Sequence, residues 1–408
     1  MLELQKFLME HPDDYEAILT QKPYCLKIKY DDNMVLFKYD QINSDFHEPI
    51  VCEARGIILE NKTWKVLRLA FHKFFNYGEE LAPKWLNWIL ATGTEKIDGS
   101  LMSVFWYNGK WRLASNGTID AFKAMVSVFD TMGALTDEKI SFGEIFESVM
   151  PLSAFDKTYY NEAGTPVELD KNICYTFELV SPKTQVVIKY DKPALHIIGA
   201  RHMDTLIEEF NPIVVFPEEM IKEYDLQIPQ RVQCGNMEEY RKFVDEMGDD
   251  HEGIVVFDGI YRVKMKTSEY LVRHYYKNNG VNLERLANVV TANEDSEFLS
   301  YFPEYEESVK KLHKYVERLK NFADTCDGNL AVFDVDLFGI MNNIIDPKER
   351  RKQFASWVME HFGNDPYKKG LLFKGYDKKA AETVKEWSQN KWVDFIKYAV
   401  DHPEEWGK

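Results

Sequence analysis

The chain is poor in cysteine, has no long apolar run and carries no excess of positive charge, and each shortage closes off a class of protein. Its 408 residues include five cysteines, Cys25, Cys52, Cys174, Cys234 and Cys326, all scattered singly. Without a C-x-x-C pair they read as reduced, structural thiols rather than zinc ligands. The ten histidines show no paired metal-ligand spacing either. No apolar stretch approaches the roughly 20 residues a membrane span needs. The opening Met-Leu-Glu-Leu-Gln-Lys carries acid early and has no signal-peptide core, so a cytoplasmic protein with no membrane partner is expected. Lysine and arginine total 50 against 67 acids, a formal net charge of −17. That total argues against nucleic-acid binding driven by whole-protein charge and leaves room for a confined basic groove.

What remains is the composition of an ordinary globular protein, 45% hydrophobic and 29% charged, long enough for two domains. Residues 1–20 read as short helices joined near Pro12. Leu26–Tyr30 and Met34–Tyr39 read as a hairpin, and Val51–Glu60 with Trp64–Ala70 as a second strand pair. Glu80–Ala91 reads as a helix with Trp85, Trp88 and Ile89 at core spacing. Leu101–Tyr107, Asn108-Gly109 and Trp111–Ser115 form a hairpin, since Asn-Gly favours the turn that matches strand twist. Helices are expected over 120–150, then strands at Ile173–Val180, Gln185–Tyr190 and Leu195–Ala200. A last hairpin joins Gly253–Phe257 to Tyr261–Met265, and Ser268 caps a helix reaching Tyr276. Beyond Lys277-Asn278-Asn279-Gly280 the apolar pattern turns to a 3.6-residue period. The expected fold class is therefore α+β: a mixed domain over 1–278, then an all-α domain over 279–408.

The stretch Thr94-Glu95-Lys96-Ile97-Asp98-Gly99-Ser100-Leu101 is the focus of the first domain. A lysine is a nucleophile only when its amine is neutral, so a site that uses one must supply cations or a metal nearby. Gly99 is expected to let a phosphate approach the backbone. Other charged residues stand inside apolar strand segments: Glu53-Ala54-Arg55-Gly56, His72-Lys73-Phe74-Phe75-Asn76, Phe177-Glu178-Leu179-Val180, Glu252-Gly253-Ile254-Val255 and Val263-Lys264-Met265-Lys266. Lys264 and Lys266 share one face of a strand. Burying such groups is costly unless they are paired or coordinated. Any one of them has an ordinary ion pair or a solvated strand face as its alternative. The whole set in this order points to a polar cleft walled by sheets.

These segments resemble the covalent nucleotidyltransferases, the superfamily of DNA ligases, RNA ligases and mRNA capping enzymes, whose nucleophile lies in K-x-D-G. Within it, E-x-R-G, K-F-F-N, K-x-D-G-S-L, F-E-x-V, E-G-x-V and K-x-K are most similar to the RNA ligase 1 family of T-even bacteriophages. The likeness covers about the first two thirds of the chain. It implies an N-terminal adenylyltransferase domain whose antiparallel sheets wall an ATP cleft. Lys96 would attack the α-phosphorus of ATP to give lysyl-AMP, with Asp98, Glu252 and Tyr270 as further catalytic residues. Arg55, Lys73, Lys264 and Lys266 would surround the triphosphate, and the last two would help keep Lys96 deprotonated. Tyr39 and Phe75 would line the adenosine pocket, and Glu178 would contact ribose or metal. Glu252 and Asp295 would join Glu178 as ligands of Mg²⁺, with Mn²⁺ as the substitute cation. One position departs from the family: Ser115-Asn116-Gly117 has asparagine where a basic residue is usual, so a phosphate contact is either lost or supplied by Lys123.

The resemblance implies a monomeric, ATP-dependent RNA ligase that joins RNA 5′-phosphate and 3′-hydroxyl ends. Cleaved tRNA broken during phage infection is the implied substrate, and the helical domain would help to select it. Two alternatives stand beside it. A DNA ligase or capping enzyme usually carries a β-barrel after the K-x-K segment. A non-catalytic RNA-binding relic of the fold would form no adduct with ATP.

Overall fold

The structure, a computed structural model, describes residues 1–129, 135–184, 187–248, 250–267, 270, 283–328, 330–335, 339, 341 and 343–407. The chain divides into two compact units, Met1–Lys277 and Asn278–Lys408.

In the first unit a four-stranded antiparallel sheet holds β1 (Lys27–Asp31), β2 (Met34–Lys38), β3 (Arg55–Glu60) and β4 (Val66–Arg68) in that order. Because side chains alternate along a strand, this sheet buries two faces. Val35, Phe37, Ile57 and Leu59 pack on the N-terminal helix Glu3–Glu10, while Met34, Leu36 and Ile58 join Phe105, Ala114 and Cys174 on the other side. The helix Pro49–Glu53 takes residues expected to start a strand. Its last residue, Glu53, accepts the backbone N–H groups of Glu3 at 3.0 Å and Leu4 at 2.8 Å. Those donors have no partner within their own helix, so the buried carboxylate satisfies that helix end.

After the short β5 (Phe75–Asn76), the expected helix over Glu80–Ala91 is replaced by a run of turns. Trp85 is 84% exposed and Ile89 70% exposed, while Trp88 packs against Tyr77 and Tyr240. Pro83 disfavours helical geometry in the residue before it, and the helical spacing of the apolar residues did not outweigh that.

The next strands are β6 (Thr92–Glu95), β7 (Ser100–Tyr107) and β8 (Lys110–Ser115), the last two joined through Asn108-Gly109 as expected. The segment 120–150, read as helical, contains the pair β9 (Met125–Phe129) and β10 (Leu135–Ser141), with a helix only at Phe142–Val149. The small β11 (Tyr159–Tyr160) and β12 (Pro166–Val167) follow. β13 (Ile173–Val180) and β14 (Ala194–His202) then complete a second sheet, ordered β14-β13-β7-β8. Of the strand expected at Gln185–Tyr190, residues 185–186 lie outside the described residues and 187–190 are irregular. The third sheet is ordered β15-β6-β16-β17-β5, with β15 at Arg231–Val232, β16 at Gly253–Phe257 and β17 at Arg262–Lys266. The helix expected from Ser268 lies outside the described residues except at Tyr270.

The second unit is helical among its described residues. A 23-residue helix, Glu306–Gly328, buries Leu312, Tyr315, Val316, Leu319 and Ala323 at helical spacing. Three helices begin with a side-chain cap, from Asp346, Asp365 and Ser388. No β-barrel is present among these residues. Across both units, no described helix is long and apolar enough to cross a membrane.

Candidate active site

Lys96-Ile97-Asp98-Gly99 is the connection from β6 in the third sheet to β7 in the second. The Lys96 N–H donates to the Gly253 carbonyl at 2.8 Å, which extends the β6–β16 pairing up to the lysine. Its Nζ donates to Glu252 Oε2 at 2.6 Å, and Lys266 Nζ stands 3.4 Å from Glu252 Oε1. Glu252 is 3% exposed and so shares one buried carboxylate between two ammonium groups. Burial pushes its carboxyl up, but Lys96, Lys266 and Lys264 together hold it below the usual range. Gly253, at φ +141°, has no room for a side chain: a Cβ would lie 2.0 Å from the Met265 carbonyl oxygen.

Asp98 is buried and fully engaged. One carboxylate oxygen accepts the N–H groups of Val187 at 2.8 Å and Ile188 at 2.7 Å, and the other accepts the Tyr270 hydroxyl at 3.1 Å. Tyr270 in turn lies under Lys266, whose Nζ is 5.2 Å from the ring centre. Asp98 and Tyr270 therefore brace the lysine-bearing loop. The amides expected to join a sheet at 187–188 are used by Asp98 instead. Gly99 has a further reason to lack a side chain: a Cβ there would meet the Leu179 carbonyl oxygen at 2.6 Å and Glu178 Cγ at 3.1 Å. Its close approach is to β13, in the second sheet.

Glu178, on β13, faces a cavity of about 330 Å³ that Lys96, Gly99, Arg55 and Asn116 also line. Burial pushes its carboxyl up to about 8; Glu252 and Asp98 add to the rise, and Lys96 and Arg55 oppose it. Arg55 opens β3, donates to the His72 carbonyl at 3.3 Å and lies 4.7 Å from the centre of the Phe74 ring. The cavity's aromatic side is made by Phe71, Phe74 and Phe257, over all three of which Arg262 is stacked. Arg262 and Arg201 both hold the buried Glu208.

The expected site residues thus fall into groups. Lys96, Glu252, Lys266, Asp98 and Tyr270 are linked by direct contacts; Arg55 and Glu178 line the adjoining cavity, and the Lys264 charge acts on Glu252. Tyr39, Lys73 and Phe75 cluster with Phe46, the Lys73 ammonium lying 4.8 to 5.6 Å from the three ring centres. Phe74, rather than Phe75, lines the cavity. Asp295 belongs to the second unit, where it lies 3.4 Å from His313. Lys123 is exposed and pairs with Asp31 on β1, while Asn116 lines the cavity itself. Among the described residues no group of three His, Cys, Asp or Glu side chains could hold a metal. Arg262 escaped the sequence reading although its signal was present, because it continues the Lys264–Lys266 alternation by one more step on the same face of β17.

A lysine poised between acids, with cations on two sheets around it, is a site suited to nucleotidyl transfer. The chain belongs to the RNA ligase family of the T4 RNA ligase 1 type, whose family model matches residues 53–270, more than half of its length. It is accordingly an RNA ligase, an enzyme of the covalent nucleotidyltransferase superfamily. It is 25% identical over 429 aligned residues to an RNA ligase of Rhodothermus phage RM378, covering 87% of this chain and 90% of that one. It is 28% identical over 258 residues to RNA ligase 1 of bacteriophage TS2126, covering 59% and 57%. A putative bifunctional polynucleotide kinase/RNA ligase of Autographa californica nuclear polyhedrosis virus is 26% identical, with 77% of this chain and 44% of that one covered. Among solved structures, an archaeal ATP-dependent RNA ligase aligns with a TM-score of 0.39 at 10% identity, covering 98% of this chain and 90% of that one.

Proposed function

We propose that this RNA ligase uses ATP to charge Lys96 with AMP and then seals RNA 5′-phosphate and 3′-hydroxyl ends. The observation that carries the reading is the 2.6 Å contact between Lys96 Nζ and the buried Glu252, beside a cavity bordered by Arg55 and Glu178. In the first step the Lys96 amine forms a bond to the α-phosphorus, and the bond from that phosphorus to the bridging oxygen breaks, releasing pyrophosphate. Lys96 attacks as the neutral amine, its proton having gone to solvent before the bond forms, which the like charges of Lys264 and Lys266 favour. Arg55, Lys264 and Lys266 offset the charge that develops on the phosphates. An RNA 5′-phosphate oxygen then displaces Lys96 from AMP. The 3′-hydroxyl finally attacks that 5′-phosphorus, and AMP departs.

Glu178 and Glu252 fit a divalent cation. The charges of Glu252 and Asp98 oppose ionisation of Glu178, a repulsion that a cation relieves, and Mg²⁺ is commonly held by one or two carboxylates with phosphate and water completing its shell. When bound, Mg²⁺ or Mn²⁺ supplies positive charge to the phosphates and favours the neutral lysine amine. Asp98 and Tyr270 position the lysine loop. The helical second unit supports an RNA ligase over a DNA ligase or capping enzyme with a β-barrel. We assign the second unit to selecting the RNA, and repair of broken RNA, such as cleaved tRNA, to the enzyme as its task.

Intact-protein mass after incubation with ATP and Mg²⁺ tests the chemistry. Wild-type protein is expected to gain one AMP and Lys96→Ala none. An unmodified wild type, purified free of bound AMP, would leave a binding protein with a relic site.

A further inference from the structure

The departure at Asn116 has a physical cause, and the charge missing there reappears on a neighbouring strand. Arg68, at the end of β4, is fully buried. It donates to the Gly56 carbonyl, to Ser103 Oγ at 3.0 Å and to Asn116 Oδ1 at 3.0 Å, while its Nε has no partner among the described residues. Among these residues no carboxylate neutralises it. A lysine at 116 would set a second cation against this buried guanidinium, whereas an asparagine gives it an acceptor.

Next to that turn stand three lysines on one face of the first sheet. Lys27 lies directly across from Lys38, and Lys29 shares the face by alternation. Lys27 is paired with Asp40 at 2.8 Å, and Lys29 donates to the Gly117 carbonyl at 2.7 Å. Lys38 is half-buried, lies in register with Arg55, and has no hydrogen-bond or ion-pair partner for its ammonium among the described residues. A Cβ added to Gly117 would stand 3.6 Å from Lys38 Nζ, so the ammonium sits over the 115–117 turn. Burial, together with Lys27, Lys29 and Arg55, holds its pKa below the usual lysine range against the opposing charge of Asp40. Such a half-buried cation, crowded by like charges and with no carboxylate in direct contact among the described residues, is suited to receive an anion.

We propose that Lys38 binds a phosphate group of a reactant beside Asn116, supplying from β2 the charge that position 116 does not carry. The proposal rests on the ligase reading above. Two reactants carry the required chemistry: the triphosphate tail of ATP and the 5′-phosphate of the RNA.

Direct binding tests it, with Lys38→Met and Lys38→Gln as disruptive variants and Lys38→Arg as the conservative one. Titration uses inorganic pyrophosphate for the first source, and matched oligoribonucleotides with 5′-phosphate or 5′-hydroxyl for the second. Loss of a charged contact is expected to weaken the relevant affinity about tenfold or more, with Arg restoring it. Weaker pyrophosphate binding assigns Lys38 to the ATP tail; loss of preference for the 5′-phosphate assigns it to the RNA. If folded Met and Gln variants match the wild type in both titrations, the proposal is overturned. Lys96 adenylylation, read separately by mass, divides the two readings. An intact adduct with unchanged titrations removes Lys38 alone, and a Lys38-dependent titration without adduct removes the ligase chemistry and keeps the site.

Discussion

Glu178 should make the stability of the folded chain depend on pH in a way that one substitution removes. Its carboxyl titrates at an ordinary 4.5 in the unfolded chain and is pushed up to about 8 in the fold, first by burial. Below pH 4.5 it is protonated in both states and costs nothing. Between 4.5 and 8 the unfolded chain gives up the proton and the folded chain keeps it, so stability falls as pH rises. Above 8 the loss levels off. Each pH unit of separation is worth about 1.4 kcal/mol, which sets a ceiling of about 5 kcal/mol for a side chain that opens onto the cavity. Glu178→Gln mimics the protonated form and does not titrate. Thermal unfolding of both proteins from pH 5 to 9, followed by tryptophan fluorescence, should show the variant gaining on the wild type up to pH 8 and no further. With roughly 2–4 °C per kcal/mol for a unit of this size, even a third of the ceiling is measurable. Adding Mn²⁺ above pH 8 should narrow the gap, because a cation stabilises only the ionisable side chain. A difference that stays flat from pH 5 to 9 would refute the electrostatic account of Glu178.

Two further substitutions probe the frame around the site. Gly253→Ala forces a Cβ to 2.0 Å from the Met265 carbonyl oxygen at a φ of +141°. It should cost about 3 kcal/mol or more and show as a large fall in soluble yield and melting temperature; a melting temperature within a degree of wild type would be inconsistent with that backbone. Glu53→Ala strips the acceptor from two N–H groups at the start of the helix Glu3–Glu10. A loss of about 2 kcal/mol by chemical denaturation is expected, with Lys96 adenylylation at 25 °C retained. Loss of the adduct in a folded Glu53→Ala protein would instead place Glu53 in the chemistry.

Legibility in the sequence followed the kind of information each feature needs. The K-x-D-G stretch, the acid-bearing strands and the Lys264–Lys266 alternation are local patterns, and they carry most of the residues that meet around Glu252. Hairpins at Asn108-Gly109 and Asp258-Gly259 were readable for the same reason. The segment 80–91 misled because apolar residues at helical spacing need a core to face, and Trp85 and Ile89 have none. The Val126–Ser127–Val128 alternation was passed over in a stretch read as helical, although β-branched residues favour strands. The reasons for Glu53 and Gly99 were not readable at all. Each answers a partner distant in sequence, a helix start about 50 residues earlier for Glu53 and a strand about 80 residues later for Gly99. Arg68 and Asn116 belong to the same class, since only their meeting explains either.

The four residues from Lys96 to Gly99 are a splice between two sheets with no slack in it. One end is fastened to β16 through Gly253, the middle is held by Asp98, and the far end presses against β13. Lengthening this splice by a single residue would slip β7 against β13 and turn its core face outward. The tips at Gly109 and Gly164, by contrast, face open space. Natural length variation, and any inserted label or affinity tag, should therefore collect at those tips and leave the distance from Thr94 to Leu101 untouched.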